Sequence, residues 1–446
     1  MKRKWLSSLL AVVLLFGMTA CKDDDKIDNG TGGSTSTEQG SSSDGLSSDD
    51  GVDNNDDSSN SDDSSNKGSA EDNDDNSSDD NDGSGSNDSS DNGSSNESGN
   101  ESSGGDTTDE DIEEEAASEG LEFELNADEK SYALIGLGTC TDANVVIPKK
   151  YKGLDVTTIG DEAFKERNLI SVFIPDSVVK IGKLAFGACK DLMNVTIPDS
   201  VETIGAKAFA GCECLRYNEE NGLKYLGNVM NKYVYLAVVD KEDAGEVVTI
   251  NASCKIIAAY AFSMDYNVKS LIIPDSVISI GELAFYYCMY LESVAMGNGV
   301  VEIGESAFYY CNRLKNLTLS NKLKTLEKGI FWECSSLESV RIPDSVTVIG
   351  ESAFGKCSKL SNITIGHNVT KISYQAFANV GIESITIPKN VTVIEKEAFI
   401  MCNDLVDIAF EGTIEEWNTL GYGGNYNDWY FVPAEKVVCK DGEVSI

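Results

Sequence analysis

Leu337-Glu-Ser-Val-Arg-Ile-Pro-Asp-Ser-Val-Thr-Val-Ile-Gly-Glu-Ser-Ala-Phe-Gly-Lys-Cys-Ser-Lys359 is one copy of a 23-residue unit. The Ala-Phe step at its centre recurs with Phe164, Phe186, Phe209, Phe262, Phe285, Phe308, Phe354, Phe377 and Phe399. Phe331 holds the same register but follows Ile330. The intervals are 22 or 23 residues, except between Phe209 and Phe262, where an insertion falls. A fixed period of this size means a solenoid, in which each supersecondary unit buries its apolar face only by stacking on its neighbours.

The unit has an internal logic. Val340-Arg-Ile342 alternates as a short strand does. Pro343 then removes a ladder donor and opens a Pro-Asp-Ser turn. The same Ile-Pro step occurs at Pro148, Pro175, Pro198, Pro274 and Pro388. Val346 and Ile349 return apolar groups to the core. Gly350, with Gly160, Gly182, Gly205, Gly281 and Gly304, meets a positive φ or a close approach between coils. Ala353, Phe354 and Cys357 share one side of an expected short helical turn, since i and i+3 lie on one face.

The periodic region reads as residues 119–446. Leu121–Leu125 and Tyr132–Leu137 around Asn126-Ala-Asp128 read as a hairpin that covers the open first coil. A second hairpin is expected in the insertion near 213–255, from Asn221–Gly227 and Tyr233–Leu236. A terminal cap begins at about 408, where Thr413 and Glu416 form a capping box for a short helix.

The unit Leu-x-x-Val-x-Ile-Pro-x-Ser-Val-x-x-Ile-Gly-x-x-Ala-Phe-x-x-Cys resembles the BspA-type leucine-rich repeat of bacterial surface proteins. The likeness runs over roughly residues 120–446. It implies an α/β leucine-rich-repeat solenoid, curved, with parallel strands and short helical turns. It also implies export and recognition at a cell surface, although fold alone does not fix function.

The first 120 residues read as an address and a tether. Lys2-Arg3-Lys4 is a basic start, and Trp5–Phe16 is an apolar run too short to span a bilayer as a helix. Met18-Thr19-Ala20-Cys21 resembles the lipobox of bacterial lipoproteins, with Met18 where Leu is usual. The reading is a signal peptide over 1–20 and a lipid on Cys21, whose buried methylenes would hold the chain at a membrane. The alternative is an ordinary secretory signal. Residues 21–118 follow as an Asp/Ser/Asn/Gly-rich stalk. Within it, residues 22–118 hold 31 acidic residues against 3 lysines, which is most of the net charge of −40. So little apolar surface cannot offset the entropy of ordering, and a disordered segment about 50–60 Å in reach is expected. Its Asp runs miss the calcium-loop pattern, because Asp72-Asn-Asp74-Asp-Asn76 is followed by Ser77 rather than Gly.

These counts exclude several function classes. Strong acidity argues against nucleic acid, whose phosphates need Lys and Arg. One histidine, His367, stands against Ser-His-Asp, Cys-His and His-based zinc chemistry. It replaces an Asp in a turn and reads as solvated. No phosphate loop or nucleophile elbow occurs. We therefore expect no enzyme, no catalytic residue, no metal and no cofactor beyond the lipid. Cys189, Cys212, Cys288, Cys311, Cys334, Cys357 and Cys402 share one place in the repeat. They read as a buried, reduced thiol ladder, since an unpaired Cys packs as a small hydrophobe. Cys140, Cys214, Cys254 and Cys439 stand outside it, with no pairing assigned.

Two surfaces are candidates for binding. Outward strand positions form polar columns: Ser171, Asn194, Ser270, Ser293, Asn316, Ser339, Asn362, Ser384 and Asp407 in one, and Thr196, Thr318, Arg341, Thr364 and Thr386 in another. They read either as a binding face, with Asn316, Arg341 and Asn362 as candidates, or as a solvated sheet. Lys269, Glu292, Lys315 and Glu338 alternate in sign and read as cross-strand pairing. After the core Phe come Tyr286-Tyr287, Tyr309-Tyr310 and Trp332. Phe and Cys point inward, so Tyr286, Tyr309 and Trp332 are expected to stack outward over three coils, as a contact surface or as lateral packing. The function expected is a surface lipoprotein that binds an extracellular protein or glycan and meets membrane only through its anchor. The alternatives are an envelope assembly protein bound to a partner of the same cell, and an accessory module of a surface enzyme system.

Overall fold

The structure, a computed structural model, describes residues 116–422 and 432–446. Cys21, the expected signal peptide and the expected stalk up to residue 115 lie outside the described residues. The described chain is a parallel solenoid, and each coil has three sides.

The first side is a row of short strands: Asn144–Val146, Ser171–Phe173 and Asn194–Thr196, then from Val247–Thr249 and Ser270–Ile273 onward to Asp407–Phe410 and Lys436–Cys439. Its register keeps equivalent residues abreast, Ser270 beside Ser293 and Ser293 beside Asn316. The second side is a row of two-residue strands such as Ile256–Ile257, Ser279–Ile280 and Glu302–Ile303, also parallel and in step. Between the rows, the carbonyl of each turn proline accepts the N–H of the apolar residue three positions on, as Pro343 does from Val346 at 3.1 Å. Proline suits this corner because it ends the ladder and presets φ.

The third side departs from the expected helical turn. Among the described residues the one α-helix is Ile414–Asn418. The Ala-Phe-x-x segments are instead strings of turns bracketed by left-handed residues: Leu283 (φ 55) and Tyr287 (φ 58), Ser306 (φ 55) and Tyr310 (φ 62), Ser352 (φ 54) and Lys356 (φ 60). Alternate amides leave the coil. Ser352, Phe354 and Lys356 donate to the carbonyls of Tyr374, Ala376 and Ala378 in the next coil, at 2.8–2.9 Å. The amides between them donate within the coil, Gly355 to Ser352 and Cys357 to Phe354. A helix would spend every amide on itself, whereas this arrangement gives the third side its own inter-coil ladder and leaves no buried amide unpaired. The cost is a positive φ at non-glycine residues.

The core follows from the repeat. Nearly all of the phenylalanines are buried, and they stack from coil to coil: Phe285 on Phe308 at 4.8 Å, Phe308 on Phe331 at 5.5 Å, Phe331 on Phe354 at 5.4 Å. At the insertion Tyr235 takes the next place, 5.9 Å from Phe209. The recurring glycine answers to close approach. The φ of Gly281 and Gly304 is not positive, but a Cβ there would overlap the backbone nitrogen of Ala259 or Glu282 in the preceding coil.

The ladder cysteines are free thiols, and all seven are buried. Each thiol donates to the carbonyl of the core phenylalanine one coil before: Cys288 to Phe262 at 3.0 Å, Cys334 to Phe308 at 3.3 Å, Cys357 to Phe331 at 3.1 Å. The small sulfur fills the inner corner and also supplies a donor there. Cys254 lies buried at the place of the valine after Pro-Asp-Ser, and Cys140, Cys214 and Cys439 are free as well.

Antiparallel pieces close and interrupt the array. Glu122–Leu125 pairs with Ser131–Gly136, which leads into the second row. In the insertion, Asn218–Glu220, Leu223–Leu226 and Tyr235–Val239 run antiparallel before the last of them rejoins that row. At the other end Lys436–Cys439 pairs with Gly442–Ser445. Helix Ile414–Asn418 carries both hydrogen bonds of the Thr413–Glu416 capping box.

Candidate functional site

The third side carries the candidate site because two residues per coil, between Phe and Cys, cannot reach the core. At coils 285, 308 and 331 these are Tyr286-Tyr287, Tyr309-Tyr310 and Trp332-Glu333. All six are half-buried. Tyr286, Tyr309 and Trp332 stack in a column, with ring centroids 5.5 and 6.4 Å apart and interplanar angles of 24° and 10°. Tyr287 and Tyr310 form a second column at 4.5 Å. Tilted contacts join the two, Tyr286 to Tyr287 at 4.5 Å and Tyr309 to Tyr310 at 5.2 Å. The five rings thus form one cluster, and the lateral packing read from sequence coexists with outward exposure.

The stripe ends where Gly355 takes the next place in the column. Trp332 lies over this glycine, and a Cβ there would overlap its ring. Lys356 sits 5.2 Å from the centre of the Trp332 ring and 3.5 Å from a Glu333 carboxylate oxygen. An ammonium between an aromatic face and a carboxylate gains from both.

Electrostatics keep the phenols protonated. A hydrogen bond to the Glu333 carboxylate pushes Tyr310 up to about 12. Desolvation first, then the neighbouring tyrosines, raise Tyr286 and Tyr309 above the ordinary phenol value. At neutral pH the stripe offers donors rather than phenolates.

Four charged neighbours escaped the sequence reading. Glu333 and Lys356 follow the column residues directly. Glu282 and Glu305 stand four positions before Tyr286 and Tyr309, just after the glycines, and line a recess of about 190 Å³ with Leu283 and Ser306. Their shared repeat position was the available signal.

The strand candidates lie elsewhere. Asn316, Arg341 and Asn362 are exposed on the first side of the coil, apart from the aromatic cluster on the third. Their columns are in register, and Ser293 Oγ donates to Ser270 Oγ at 2.9 Å. Of the alternating charges, Lys269 pairs with Glu246 at 2.7 Å. His367 is exposed, and its Nδ1 and backbone N–H both face Asp344 Oδ1 of the coil before, at 3.1 and 2.8 Å. These hydrogen bonds hold the Asp344 carboxyl below its ordinary value.

Residues 157–235, 243–343 and 325–420 match the profile of the BspA type leucine rich repeat region, in six copies. The chain belongs to this family. Among solved structures, the BspA-type chain is similar to a leucine-rich repeat protein from Bacteroides ovatus, with 25% identity, 73% of this chain and 71% of that chain covered, and a TM-score of 0.36. A leucine rich cell surface protein from Faecalibacterium prausnitzii shows 24% identity, covering 70% and 98% of the two chains, with a TM-score of 0.28. A leucine-rich repeat protein from Eubacterium ventriosum shows 21%, covering 74% and 98%, with a TM-score of 0.40. No curated protein matches the sequence.

Proposed function

We propose that this BspA-type chain is a non-enzymatic lipoprotein of the bacterial surface, anchored through Cys21, whose solenoid binds an extracellular protein through the aromatic stripe on its third side. Family membership supports a binding scaffold at the cell surface. The basic, apolar and Cys21-ending start supports the anchor.

One observation carries the binding reading. Five half-exposed Tyr and Trp rings gather on three successive coils, outside a core that is complete without them. Tyr and Trp supply much contact area at little entropic cost and concentrate at binding centres. The geometry also favours protein over glycan. Sugars stack on open ring faces, and here the faces are turned on one another, leaving edges and hydroxyl groups outward.

The test is the full chain and its Tyr286→Ala/Tyr309→Ala/Trp332→Ala variant on arrays of extracellular-matrix proteins and of glycans. The wild type should capture protein ligands, and the triple variant should lose at least about tenfold in affinity with its unfolding midpoint nearly unchanged. Undiminished capture by the triple variant rules out the stripe as the contact.

A further inference from the structure

Beside the aromatic stripe, most charges of the third side are already matched within the chain. Lys328 pairs with Glu351 at 2.9 Å and Lys356 with Glu333 at 3.5 Å. Glu282 and Glu305 differ. Among the described residues neither has an ion-pair partner, and the contact of Glu282 is the Tyr260 hydroxyl at 3.5 Å. They occupy the same place on successive coils and face one recess of about 190 Å³. Two like charges side by side repel unless a cation comes between them.

The molecule contains a filled version of this arrangement two coils on. There the Lys356 ammonium lies over the Trp332 ring and against the Glu333 carboxylate. The same preference recurs where Arg313 stacks on Tyr290 at 4.4 Å and Lys207 on Tyr260 at 5.2 Å. At Glu282 and Glu305 the carboxylates and the neighbouring Tyr286 and Tyr309 are present, and the cation is missing.

We infer that the recess between Glu282 and Glu305 receives an arginine side chain from the protein partner, so that the stripe reads a basic segment. This rests on the reading of the stripe as the protein contact. A guanidinium presents a planar fork of donors, which can bridge carboxylates on adjacent coils as a compact ammonium cannot. Its methylene stem lies along the rim of the tyrosine rings. Carboxylates that are half-exposed and exposed add specificity and association rate, and the contact weakens with salt.

A fluorescent Gly-Ser-Arg-Gly-Ser-Arg-Gly-Ser peptide serves as the probe, with citrulline for arginine as its neutral counterpart. Binding to the full chain is read by anisotropy at about 0.15 M salt. Because the chain is acidic throughout, Glu282→Gln/Glu305→Gln is compared with Glu383→Gln/Glu435→Gln, which removes the same charge at exposed positions elsewhere. The site pair should weaken the arginine peptide at least about tenfold and the control pair less than about twofold, and the citrulline peptide should bind wild type no better than the arginine peptide binds the site variant. Equal losses in the two pairs, or none, overturn the proposal. A lysine peptide that binds as tightly removes the arginine assignment. The same variants are then run against a captured protein partner. Loss with the aromatic triple variant but not with Glu282→Gln/Glu305→Gln defeats this inference alone. Retention by the aromatic variant defeats the reading on which it rests.

Discussion

Phe331→Ala tests whether the stacked phenylalanines are what hold the coils together. Phe331 is fully buried, with Phe308 at 5.5 Å on one side and Phe354 at 5.4 Å on the other. Large-to-small changes of this kind cost about 3–5 kcal/mol, depending on how far the site collapses. Collapse is blocked here. Phe308 donates its amide to Ile330 and Phe331 to Ala353, both at 2.8–2.9 Å, so backbone ladders fix the spacing of the coils. Phe308 and Phe354 would face each other across a gap of about 11 Å that neither can close, which places the loss at the top of that range. Two stacked contacts, each worth about 0.5–1.5 kcal/mol, go with it. We expect a loss of about 4–6 kcal/mol in guanidinium unfolding of the full chain, against less than about 2 kcal/mol for Trp332→Ala one position later, which is half-exposed. Repeat arrays pass instability to neighbouring coils first, so amide exchange should rise most between the strands Asn316–Thr318 and Asn362–Thr364. A cost below about 2 kcal/mol, or one no larger than that of Trp332→Ala, would refute the argument from the fixed ladder.

Two further outcomes follow from the buried thiols and from the sequence start. Burial pushes Cys254, Cys288 and Cys402 up to about 12, above the unfolded thiol value, so their contribution to stability is complete below about pH 8.5 and is lost as pH rises toward 12. Each adds a slope of about 1.4 kcal/mol per pH unit in that window, so the denaturant midpoint should fall steeply above pH 9 while thiolate absorbance at 240 nm appears only with unfolding; a flat midpoint through pH 11 contradicts this. Cys21→Ala, expressed in a bacterial host that processes lipoproteins, should move the protein from the membrane fraction to the soluble one, and continued membrane association would exclude Cys21 as the anchor.

The parts of the fold that were legible in sequence are those fixed by local chemistry or by strict recurrence. Phe354 and Cys357 announce a core because they return every 22 or 23 residues. Thr413 and Glu416 announce a helix start because both hydrogen bonds of the box are local. The geometry of the third side was not legible. Ala353, Phe354 and Cys357 fit a helical face by spacing, yet the choice between helix and turns depends on where Ser352, Phe354 and Lys356 send their amides, and their partners are 22 residues away. The same distance hid the role of the cysteine thiols, whose acceptors are 25 or 26 residues earlier. The glycine position left two readings open, and only the next coil's backbone decides between them. At the candidate site, sequence placed Tyr286, Tyr309 and Trp332 on one side but not the direction of their faces, which settles what can stack on them. Glu282 and Glu305 were passed over because a single sequence holds many acidic pairs, and only the recess singles these out.

The repeat also limits what the stripe can do alone. Coils stack roughly 4.8 Å apart, so rings on three coils cover about 10–15 Å, the length of about four extended residues. Gly355 and Lys356 end the stripe on one side, and Ser263 and Met264 replace the rings on the other. A stable protein interface buries about 800 Å² on each partner, more than so short a stripe supplies. One copy should therefore hold a basic segment weakly and release it fast. Strength would come from many copies on one surface. On the proposed lipid tether, neighbouring molecules engage a partner with repeated basic segments at an effective concentration set by the length of the linker. This division of labour explains a chain that spends about a hundred residues on a polar leader and only three of its coils on recognition. A monomeric soluble form should then bind a multivalent partner far more weakly than the same protein arrayed on a membrane, and equal affinity in both formats would place the recognition outside the stripe.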